Sequence, residues 1–329
     1  MRVLLTGSAG FIGRMVLDRL RQAGTDVVEF DRAISPGHDV ADLDAVRPAT
    51  MGCDAVIHLA AKVGLGVDLG DIDDYVRVND LGTAVVLRAA AEAGIERLVY
   101  ASSMVVYGEG AYTCAAHGPI SPPARDRADL ERGQFEPFCP RCQQALVPGL
   151  VPESTGLDPR NVYAATKVHG EHLAAVWSRE TGGSVAALRF HNVYGPGMPR
   201  NTPYAGVASL FRSSLDRGEA PQVFEDGRQR RNFVHVADVA AAVVVALNAE
   251  LPPAVTPVNI GSPRITTIGE VAQALSTALA GPAPVVTGGY RLCDVRHITA
   301  DCSAAESLLG WRARIDLAEG VADLVTAGG

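Results

Sequence analysis

The 329-residue chain is 47% hydrophobic and 20% charged, and its formal net charge at pH 7 is -8. This composition is typical of a folded globular protein and excludes an intrinsically disordered chain. The negative charge has the wrong sign for a protein that binds nucleic acid by neutralising phosphates, so we expect no nucleic-acid partner.

The apolar runs of the sequence are short. The beginning, MRVLLTG, has three consecutive apolar residues, too few for the apolar region of a signal peptide. The longest later run, from Val239 to Leu247, is too short for a membrane span and is typical of a buried helix. We therefore expect a cytoplasmic protein without a membrane partner. In that reducing compartment its six cysteines are expected to be thiols or metal ligands rather than disulfides.

The first half of the chain alternates short apolar runs with helical stretches. Helices are expected from about Phe11 to Gln22 and over residues 76–94. Strands that are apolar on both faces and separated by helices indicate a parallel sheet covered on both sides. The predicted fold class is therefore α/β, a doubly wound parallel sheet of the Rossmann type. The four predicted strands are RVLLTG, DVVEFD, DAVIHLA and RLVYASS.

The alternating pattern breaks between Gly108 and Arg160, a proline-rich stretch without sustained periodicity. A loop of this length inside a compact domain is usually functional or an insertion. A helix is predicted over residues 161–180, followed by a strand at 184–190. The remaining chain is loop-rich, with a helix predicted near Val207 to Leu215.

The segment VLLTGSAGFIGRMVLDRL predicts a strand, a glycine turn and a helix. Gly7 permits the turn, Gly10 lets the backbone approach a pyrophosphate, and Gly13 lets the helix pack close to the sheet. The next strand ends at Asp31, whose carboxylate can accept hydrogen bonds from ribose hydroxyls and would repel a 2′-phosphate. The pattern therefore favours NAD over NADP, although Arg32 tempers that preference.

Tyr163 and Lys167 lie four residues apart on a predicted helix and so project from one face. A nearby ammonium stabilises a phenolate, so a tyrosine titrating nearer neutrality can act as a general base at a sugar hydroxyl. Such pairs are also common on helix surfaces. Here the strand VYASS delivers Ser102 and Ser103 to the carboxyl edge of the sheet, where ligands bind in this kind of fold.

With these motifs, the chain resembles the extended short-chain dehydrogenase/reductase family, the NAD-dependent epimerases and dehydratases of nucleotide sugars. The resemblance covers nearly the full length. The motifs that carry it are the glycine turn, HLAA at 58–61, NDLGT at 79–83, SSMVVYG, the Tyr163 and Lys167 pair, RFHNVYGPG, RRNFVHVADVA and YRLCDVRH.

The resemblance implies a role for each matching position. Ser103 hydrogen-bonds the reacting oxygen of the sugar, Tyr163 is the base, and Lys167 binds the nicotinamide ribose. The positions implied to lie along NAD are Gly7, Gly10, Phe11, Ile12, Gly13, Asp31, Arg32, Asp39, Val40, Leu59, Ala60, Ala61, Asn79, Ser102, Tyr163, Lys167 and His191. The positions implied to bind the substrate are Ser103, Met104, Asn192, Arg231 and Arg291, with the two arginines at the diphosphate.

One position departs from the family, because His191 stands where related enzymes usually have phenylalanine beside the nicotinamide. The histidine is either a packing substitution or an additional titrating group beside the sugar. The resemblance also implies a homodimer formed through the helices near 78–93 and 161–180.

The residues after Ser103 bear on the reaction. Family dehydratases typically carry Asp-Glu or Ser-Glu there, whereas Met104 and Val105 cannot move a proton, so elimination is disfavoured. The implied function is a nucleotide-sugar 4-epimerase, with transient oxidation at C4 to a 4-keto sugar and return of hydride to its other face. Segments such as FEDGRQRRNFVHV are most similar to dTDP-L-rhamnose 4-epimerases, so the expected substrate is a dTDP- or UDP-hexose.

Two other classes of function are also compatible with the sequence. The first is a dehydratase, decarboxylase or reductase of the same family, and the second is a non-catalytic dinucleotide-binding sensor. The expected domains are a NAD-binding Rossmann domain over 1–192, with an insertion at 109–160 and a return at 233–260, and a nucleotide-sugar-binding domain over 193–232 and 261–329.

The insertion carries a Cys-x-x-His pair, Cys114 and His117, and a Cys-x-x-Cys pair, Cys139 and Cys142. These are ligands that zinc binds tetrahedrally, and a metal would order a polar segment that has no apolar core of its own. A structural zinc is the favoured interpretation, with a redox pair or coincidence as the alternatives. Since the insertion lies between Ser103 and Tyr163, we expect it to cover the sugar pocket.

Overall fold

The computed structural model describes residues 1–64, 69–200, 206–292 and 294–326. Cys293 of the YRLCDVRH motif lies outside the described residues. The strands are β1 (Arg2–Thr6), β2 (Asp26–Phe30), β3 (Ala55–His58), β4 (Arg97–Ser103), β5 (Tyr112–Cys114), β6 (Gly118–Ile120), β7 (Val147–Pro148), β8 (Ser184–Phe190), β9 (Asn192–Tyr194), β10 (Gln222–Val223), β11 (Arg230–Arg231), β12 (Phe233–His235), β13 (Val255–Ile260), β14 (Thr266–Thr267) and β15 (Val285–Val286). The α-helices are α1 (Phe11–Gln22), α2 (Leu43–Thr50), α3 (Ile72–Tyr75), α4 (Gly82–Glu92), α5 (Arg127–Glu131), α6 (Val162–Thr181), α7 (Val207–Asp216), α8 (Val236–Asn248), α9 (Ile268–Ala278), α10 (Ser303–Leu309) and α11 (Leu317–Thr326).

The central sheet has six parallel strands in the order β13-β8-β4-β3-β1-β2. The four strands predicted in the first half of the chain are all present in it. Most of their side chains are buried, as expected for strands covered on both faces. The predicted doubly wound α/β fold is confirmed.

Helices cover both faces of this sheet. On one face α1 packs against α8, and the apolar run from Val239 to Leu247 forms the buried part of α8. On the other face α2 packs against α4, which packs against α6. None of the described helices is both long and apolar enough to cross a lipid bilayer.

The helix predicted over residues 76–94 is more complex than one regular helix. It begins earlier, with α3, continues through π-helical turns at Val76–Leu81, and then becomes α4. Such wide turns are rare in helices and often occur at functional sites. Asn79 lies within them and is buried, so the irregular segment places a polar amide beside the sheet edge.

The chain after β8 returns to the sheet and also builds a separate apolar core. β13 pairs with β8, and β12 pairs with β9. The separate core lies between α7, α9 and α11 and includes Phe211, Val271 and Val321. Short strand pairs, β10 with β15 and β11 with β14, border this core.

The insertion has little structure of its own. It contains a three-stranded antiparallel sheet, in the order β6-β5-β7, and the single-turn helix α5. Its buried cluster consists of Tyr112, Cys114, Cys139 and Leu146. Two of those four side chains are cysteines, so ordinary apolar packing contributes little to the insertion's stability.

Candidate active site

A cleft of about 730 Å³ opens at the carboxyl edge of the central sheet. It extends from the glycine turn after β1, past the ends of β3, β4 and β8, to the start of α7 and the segment before α10. This is the edge at which ligands bind in doubly wound folds. Residues lining the cleft include Gly7, Gly10, Phe11, Ile12, Gly13, Leu59, Ala61, Ser102, Ser103, Met104, Tyr163, Lys167, His191, Asn192, Arg231 and Arg291.

The glycine turn at one end of the cleft needs its glycines. Gly7 has a φ of +71°, and a Cβ there would lie 2.7 Å from the backbone nitrogen of Ala60. A Cβ on Gly13 would lie 1.9 Å from the carbonyl oxygen of Gly7, so no side chain fits between turn and helix. Helix α1 then begins after Gly10 without a side-chain cap. Its free N–H groups and positive dipole end suit an anionic ligand.

The end of β2 brings an acidic side chain to the same turn. Asp31 Oδ2 accepts a hydrogen bond from the backbone N–H of Ala9 at 3.1 Å, and Oδ1 accepts one from Ala33 at 2.8 Å. The carboxylate is therefore held beside the glycine turn, where the sequence predicted the ribose contact. Arg32 is exposed to solvent. The turn, the helix end and Asp31 together have the groups that a dinucleotide requires.

Some residues predicted to bind the cofactor lie behind the cleft instead of lining it. The Asn79 amide donates to the Lys62 carbonyl oxygen at 3.0 Å and to Thr166 Oγ1 at 2.9 Å, while its oxygen accepts from the Lys62 N–H at 2.8 Å. Asn79 therefore ties the loop after β3 to α6. Ala60 donates its N–H to Thr6 Oγ1 at 3.2 Å.

Asp39 and Val40 are also outside the cleft lining. Asp39 pairs with Arg77 at 2.5 Å and accepts a hydrogen bond from Ala41 N–H at 3.0 Å. Burial tends to raise the pKa of Asp39, but the hydrogen bonds from Arg77 and Ala41 outweigh it and hold that pKa below its usual value. Val40 is buried against Gly82 at the start of α4.

Ser103, Tyr163 and Lys167 meet in the middle of the cleft. Ser103 ends β4 and accepts a hydrogen bond from Val105 N–H at 3.4 Å. Asn161 caps α6 by accepting from Ala164 N–H at 2.8 Å, which places Tyr163 in the first turn of the helix. Lys167 follows one turn later on the same face. The sequence prediction that these three side chains share one site agrees with the structure.

The protonation of this group differs from the sequence expectation. Burial raises the pKa of Tyr163 to about 12, although hydrogen bonding with Ser103 opposes this. Burial also lowers the pKa of Lys167 to about 8, against the attraction of Glu171 and Asp80. The lysine Nζ donates to the Ala101 carbonyl oxygen at 2.7 Å and lies 5.7 Å from the Tyr163 ring centroid. The expectation that Lys167 brings the Tyr163 phenol toward neutrality is therefore wrong in this structure, because burial dominates.

A buried ionic network behind these residues was missed in the sequence. Arg189 pairs with Glu171 through two hydrogen bonds of 2.9 and 2.7 Å and donates to Tyr107 Oη at 2.8 Å. Glu171 also accepts from Ser102 Oγ at 2.5 Å. This network joins β4, α6 and β8 through Ser102, the neighbour of Ser103. The available signal was an arginine inside the otherwise apolar strand SVAALRF.

His191 lies at the end of β8 and lines the cleft with only 4% of its surface exposed. Neither ring nitrogen has a hydrogen-bond partner of normal geometry within the described residues. Burial lowers the pKa of His191 to about 3, against a smaller opposing effect of Asn259. The imidazole is therefore neutral at physiological pH and holds an unused donor and an unused acceptor at the cleft.

Replacing His191 with phenylalanine should make the free energy of unfolding fall less steeply as the pH is lowered. The folded-state pKa of about 3 lies below the ordinary value of about 6.5, so the unfolded chain binds more protons between these limits. Stability is then lost as pH falls below about 6.5, by about 2 kcal/mol between pH 6.5 and 5. Denaturant unfolding at several pH values should show that the free energy of unfolding of His191→Phe falls less than that of the parent protein, by this amount. Parallel profiles for the two proteins would contradict the assignment.

The two arginines predicted to bind the diphosphate both line the cleft but differ in their surroundings. Arg231 is buried and donates to the carbonyl oxygens of Arg230 and Arg296, each at 2.9 Å, and of Val295 at 2.7 Å. Arg291 is exposed and lies 5.5 Å from the Phe224 ring centroid. Cleft-lining residues that the sequence reasoning missed include Gln222, Phe224, Gln229 and Asp294.

The four predicted metal ligands come together in the insertion. Their ligand atoms all lie within 4.8 Å of one another, and this is the candidate metal cluster found in the described part of the chain. Cys114 Sγ is 3.5 Å from His117 Nδ1 and 3.6 Å from Cys142 Sγ, and Cys139 Sγ is 3.5 Å from His117 Nδ1. Cys114 and Cys139 are buried, whereas His117 is exposed.

The expectation that the insertion, residues 109–160, covers the sugar pocket is wrong for nearly all of its length. Its last residue, Arg160, lines the cleft, but none of residues 109–159 does. The insertion is instead bound to the outer side of the segment around Arg296, through Glu136 and Arg125. Sequence position between Ser103 and Tyr163 fixes where the insertion leaves the sheet, but not the direction in which it folds.

Comparison with known proteins agrees with this geometry. Residues 3–127 and 145–261 match the model of the NAD dependent epimerase/dehydratase family. The chain is 33% identical to dTDP-L-rhamnose 4-epimerase of Burkholderia thailandensis over 352 aligned residues, which cover 99% of this chain and 94% of that protein.

Solved structures give the same result. The fold matches MoeE5 in complex with UDP-glucuronic acid and NAD, with a TM-score of 0.79, 31% identity and coverage of 100% of this chain and 99% of that one. It also matches UDP-glucose 4-epimerase from Thermotoga maritima with UDP-glucose, with a TM-score of 0.81, 25% identity and coverage of 100% and 98%. With the glycine turn, the Ser103, Tyr163 and Lys167 group and these full-length matches, the chain belongs to the NAD dependent epimerase/dehydratase family.

Proposed function

We propose that the protein is a NAD-dependent nucleotide-sugar 4-epimerase acting on a dTDP- or UDP-hexose. The observation that carries this proposal is the meeting of Ser103, Tyr163 and Lys167 in one cleft with the glycine turn. The similarity to dTDP-L-rhamnose 4-epimerase supports a deoxyhexose substrate, and the similarity to MoeE5 with UDP-glucuronic acid and NAD supports the nucleotide-sugar class and the cofactor.

The residues present fit NAD. The turn at Gly7 and Gly13 has no room for side chains, so a pyrophosphate can approach the backbone. The start of α1 offers backbone N–H groups to that pyrophosphate. The Asp31 carboxylate is held beside the turn, where it can accept hydrogen bonds from ribose hydroxyls. When bound, NAD supplies reversible hydride acceptance at the sugar carbon. Ser102 and His191 border the same part of the cleft as Lys167, with the donor and acceptor of His191 unused.

The side chains around the reacting centre favour epimerisation over elimination. The Tyr163 phenol is the group placed to move the proton of a sugar 4-hydroxyl, and Ser103 can hydrogen-bond the same oxygen. Met104 and Val105, which line the cleft beside Ser103, carry no proton that titrates. Elimination needs an additional acid and base there, so the dehydratase alternative lacks its chemistry. A non-catalytic sensor would not need the proposed catalytic group, yet the cleft has all three of its side chains, Ser103, Tyr163 and Lys167.

The proposal is tested by incubating the purified, NAD-supplemented protein with a panel of dTDP- and UDP-hexoses and resolving the products by NMR. We expect a C4 epimer to form from at least one sugar without net accumulation of NADH. A 4-keto-6-deoxy product would indicate a dehydratase, and stoichiometric NADH would indicate a dehydrogenase. No conversion of any sugar would contradict the enzymatic proposal.

We also propose that Cys114, His117, Cys139 and Cys142 bind a structural zinc. In a tetrahedral zinc site, bond lengths of about 2.3 Å to sulfur and about 2.0 Å to nitrogen separate two sulfurs by about 3.8 Å and a sulfur from a nitrogen by about 3.5 Å. The separations of 3.6 Å between Cys114 and Cys142, and of 3.5 Å from His117 to each of Cys114 and Cys139, are close to these values. Four protein ligands leave no open position, so the metal would be structural.

Elemental analysis should find about one zinc per chain in protein purified without chelators. Cys139→Ser should lose most of that zinc and unfold at a lower temperature, because the insertion has little apolar packing to replace the metal. Cys302→Ser, which changes a half-buried cysteine outside the cluster, is the matched control and should keep its zinc. Less than about half an equivalent of zinc, with Cys139→Ser as stable as the parent, would remove the metal site.

We further propose a homodimer in the cytoplasm. The apolar side chains of Ile72, Val76 and Leu81, on the segment from α3 to α4, and of Val176, on the neighbouring α6, are between 43% and 54% exposed. A second copy that packs helices against this face would bury them. Light scattering would then give twice the mass of one chain.

The cytoplasm is proposed because free thiol ligands persist in a reducing compartment.

A further inference from the structure

A buried arginine connects the insertion to the wall of the cleft. Arg296 is completely buried. Its guanidinium donates to Glu136 of the insertion at 2.9 and 2.5 Å, to Glu225 at 2.8 Å and to Asp226 at 2.7 and 2.9 Å. A guanidinium stays charged, so burying it without its carboxylate partners would be strongly destabilising. The position of Arg296 therefore depends partly on the insertion.

Other contacts connect the insertion to the same segment. Glu136 Oε2 is 2.9 Å from His297 Nε2, and the His297 N–H donates to Tyr112 Oη at 3.2 Å. Arg125 donates to the carbonyl oxygen of Asp294 at 2.8 Å. The Arg296 N–H donates to Glu109 Oε2 at 3.1 Å. Residues 294–297 are thus held by four side chains of the insertion, those of Glu109, Tyr112, Arg125 and Glu136.

The opposite side of this segment faces the cleft. Asp294, Val295 and Ile298 line the cleft. The carbonyl oxygens of Val295 and Arg296 accept the hydrogen bonds that hold Arg231, one of the two arginines assigned to the substrate diphosphate. A shift of residues 294–298 would therefore displace the cleft wall and Arg231 together.

The proposed metal lies close to the main contact. Glu136 precedes Cys139 by three residues, and Cys139 is completely buried in the small cluster of the insertion. Backbone hydrogen bonds from Cys139 N–H to the Gln144 carbonyl oxygen and from Leu146 N–H to the Pro137 carbonyl oxygen form a small loop here. Metal bound at the four ligands would fix this loop and the stretch that carries Glu136 beside it.

We propose that the insertion is a strut that braces residues 294–298 from outside, so that its metal site and Glu136 set the affinity for the nucleotide sugar without touching it. This inference rests on the proposed function. Glu136 and Arg296 are positioning residues in this account, since they act through the cleft wall and Arg231.

The test compares Glu136→Ala with Asp129→Ala in the full-length, zinc-containing protein. Asp129 lies in the same insertion but pairs with Arg132 at the surface. Binding of UDP, of dTDP and of NAD is measured by calorimetry, and hydrogen exchange is followed in residues 294–298. We expect Glu136→Ala to weaken binding of the preferred nucleotide by about 3- to 30-fold and to speed exchange in that segment. NAD affinity should stay unchanged, and Asp129→Ala should match the parent protein in every measurement.

Two outcomes would overturn the strut. One is nucleotide affinity in Glu136→Ala equal to that of the parent, and the other is an equal loss of nucleotide and NAD affinity, which indicates general destabilisation. A parent protein that binds neither UDP nor dTDP would contradict the proposed function instead. Hydrogen exchange in residues 294–298 would then be the test of whether the insertion braces this segment. Exchange in Glu136→Ala equal to that in the parent would overturn the strut.

Discussion

Replacing Tyr163 with phenylalanine is expected to lower kcat for C4 epimerisation by about 10²- to 10⁴-fold, the usual contribution of a positioned general acid or base. The phenol lies at the middle of the cleft beside Ser103, and neither Met104 nor Val105 can replace its proton transfer. NAD affinity and the unfolding temperature should change little, because the substitution removes one hydroxyl and no ring packing.

Tyr75→Phe is the matched control for this substitution. The Tyr75 ring lies 6.3 Å from that of Tyr163, and its hydroxyl donates to the Val63 carbonyl oxygen at 3.3 Å. The Tyr75→Phe variant also loses a single hydroxyl near the site, but Tyr75 does not line the cleft. Steady-state kinetics should separate the two variants by at least about tenfold in kcat. Equal activities would remove Tyr163 from the proposed chemistry.

Replacing Glu171 with leucine should destabilise the protein by about 3–5 kcal/mol, because it leaves the buried charge of Arg189 without its carboxylate partner. Both side chains are largely buried, and the pair is bidentate. The variant also leaves Ser102 Oγ without its Glu171 acceptor, next in sequence to Ser103 of the proposed catalytic group. Urea unfolding of both proteins at pH 7 measures the difference.

The double variant Glu171→Leu with Arg189→Met separates the charge effect from a packing effect. If the loss in the single variant comes from an unpaired buried charge, removing the arginine as well should restore most of the stability. If the loss comes from poor packing of leucine, the double variant should be no more stable than the single one. That second result would contradict the electrostatic account of this network.

Local sequence patterns predicted the parts of the site that lie within one element or one turn. The glycine turn follows from the spacing of Gly7, Gly10 and Gly13, and the shared face of Tyr163 and Lys167 follows from helix geometry. The central sheet was predictable because its strands are apolar on both faces. The predicted Cys and His metal ligands were visible as two close-set pairs, and the fold brings those pairs together.

Features that depend on distant contacts could not be predicted in this way. Arg296 meets Glu136, Glu225 and Asp226, which come from different parts of the chain. The pKa of Tyr163 depends on how deeply the cleft buries the phenol, which spacing alone does not reveal. For the same reason, composition identified the insertion but did not indicate that it would pack outside the cleft.

We propose that the protein inverts C4 of a nucleotide sugar by removing and returning the same hydride. The most direct measurement uses the sugar that the panel identifies, carrying deuterium at C4, in ordinary water with NAD. NMR of the epimerised product should show deuterium retained at C4 and no net NADH. Replacement of that deuterium by solvent hydrogen during inversion would contradict the account.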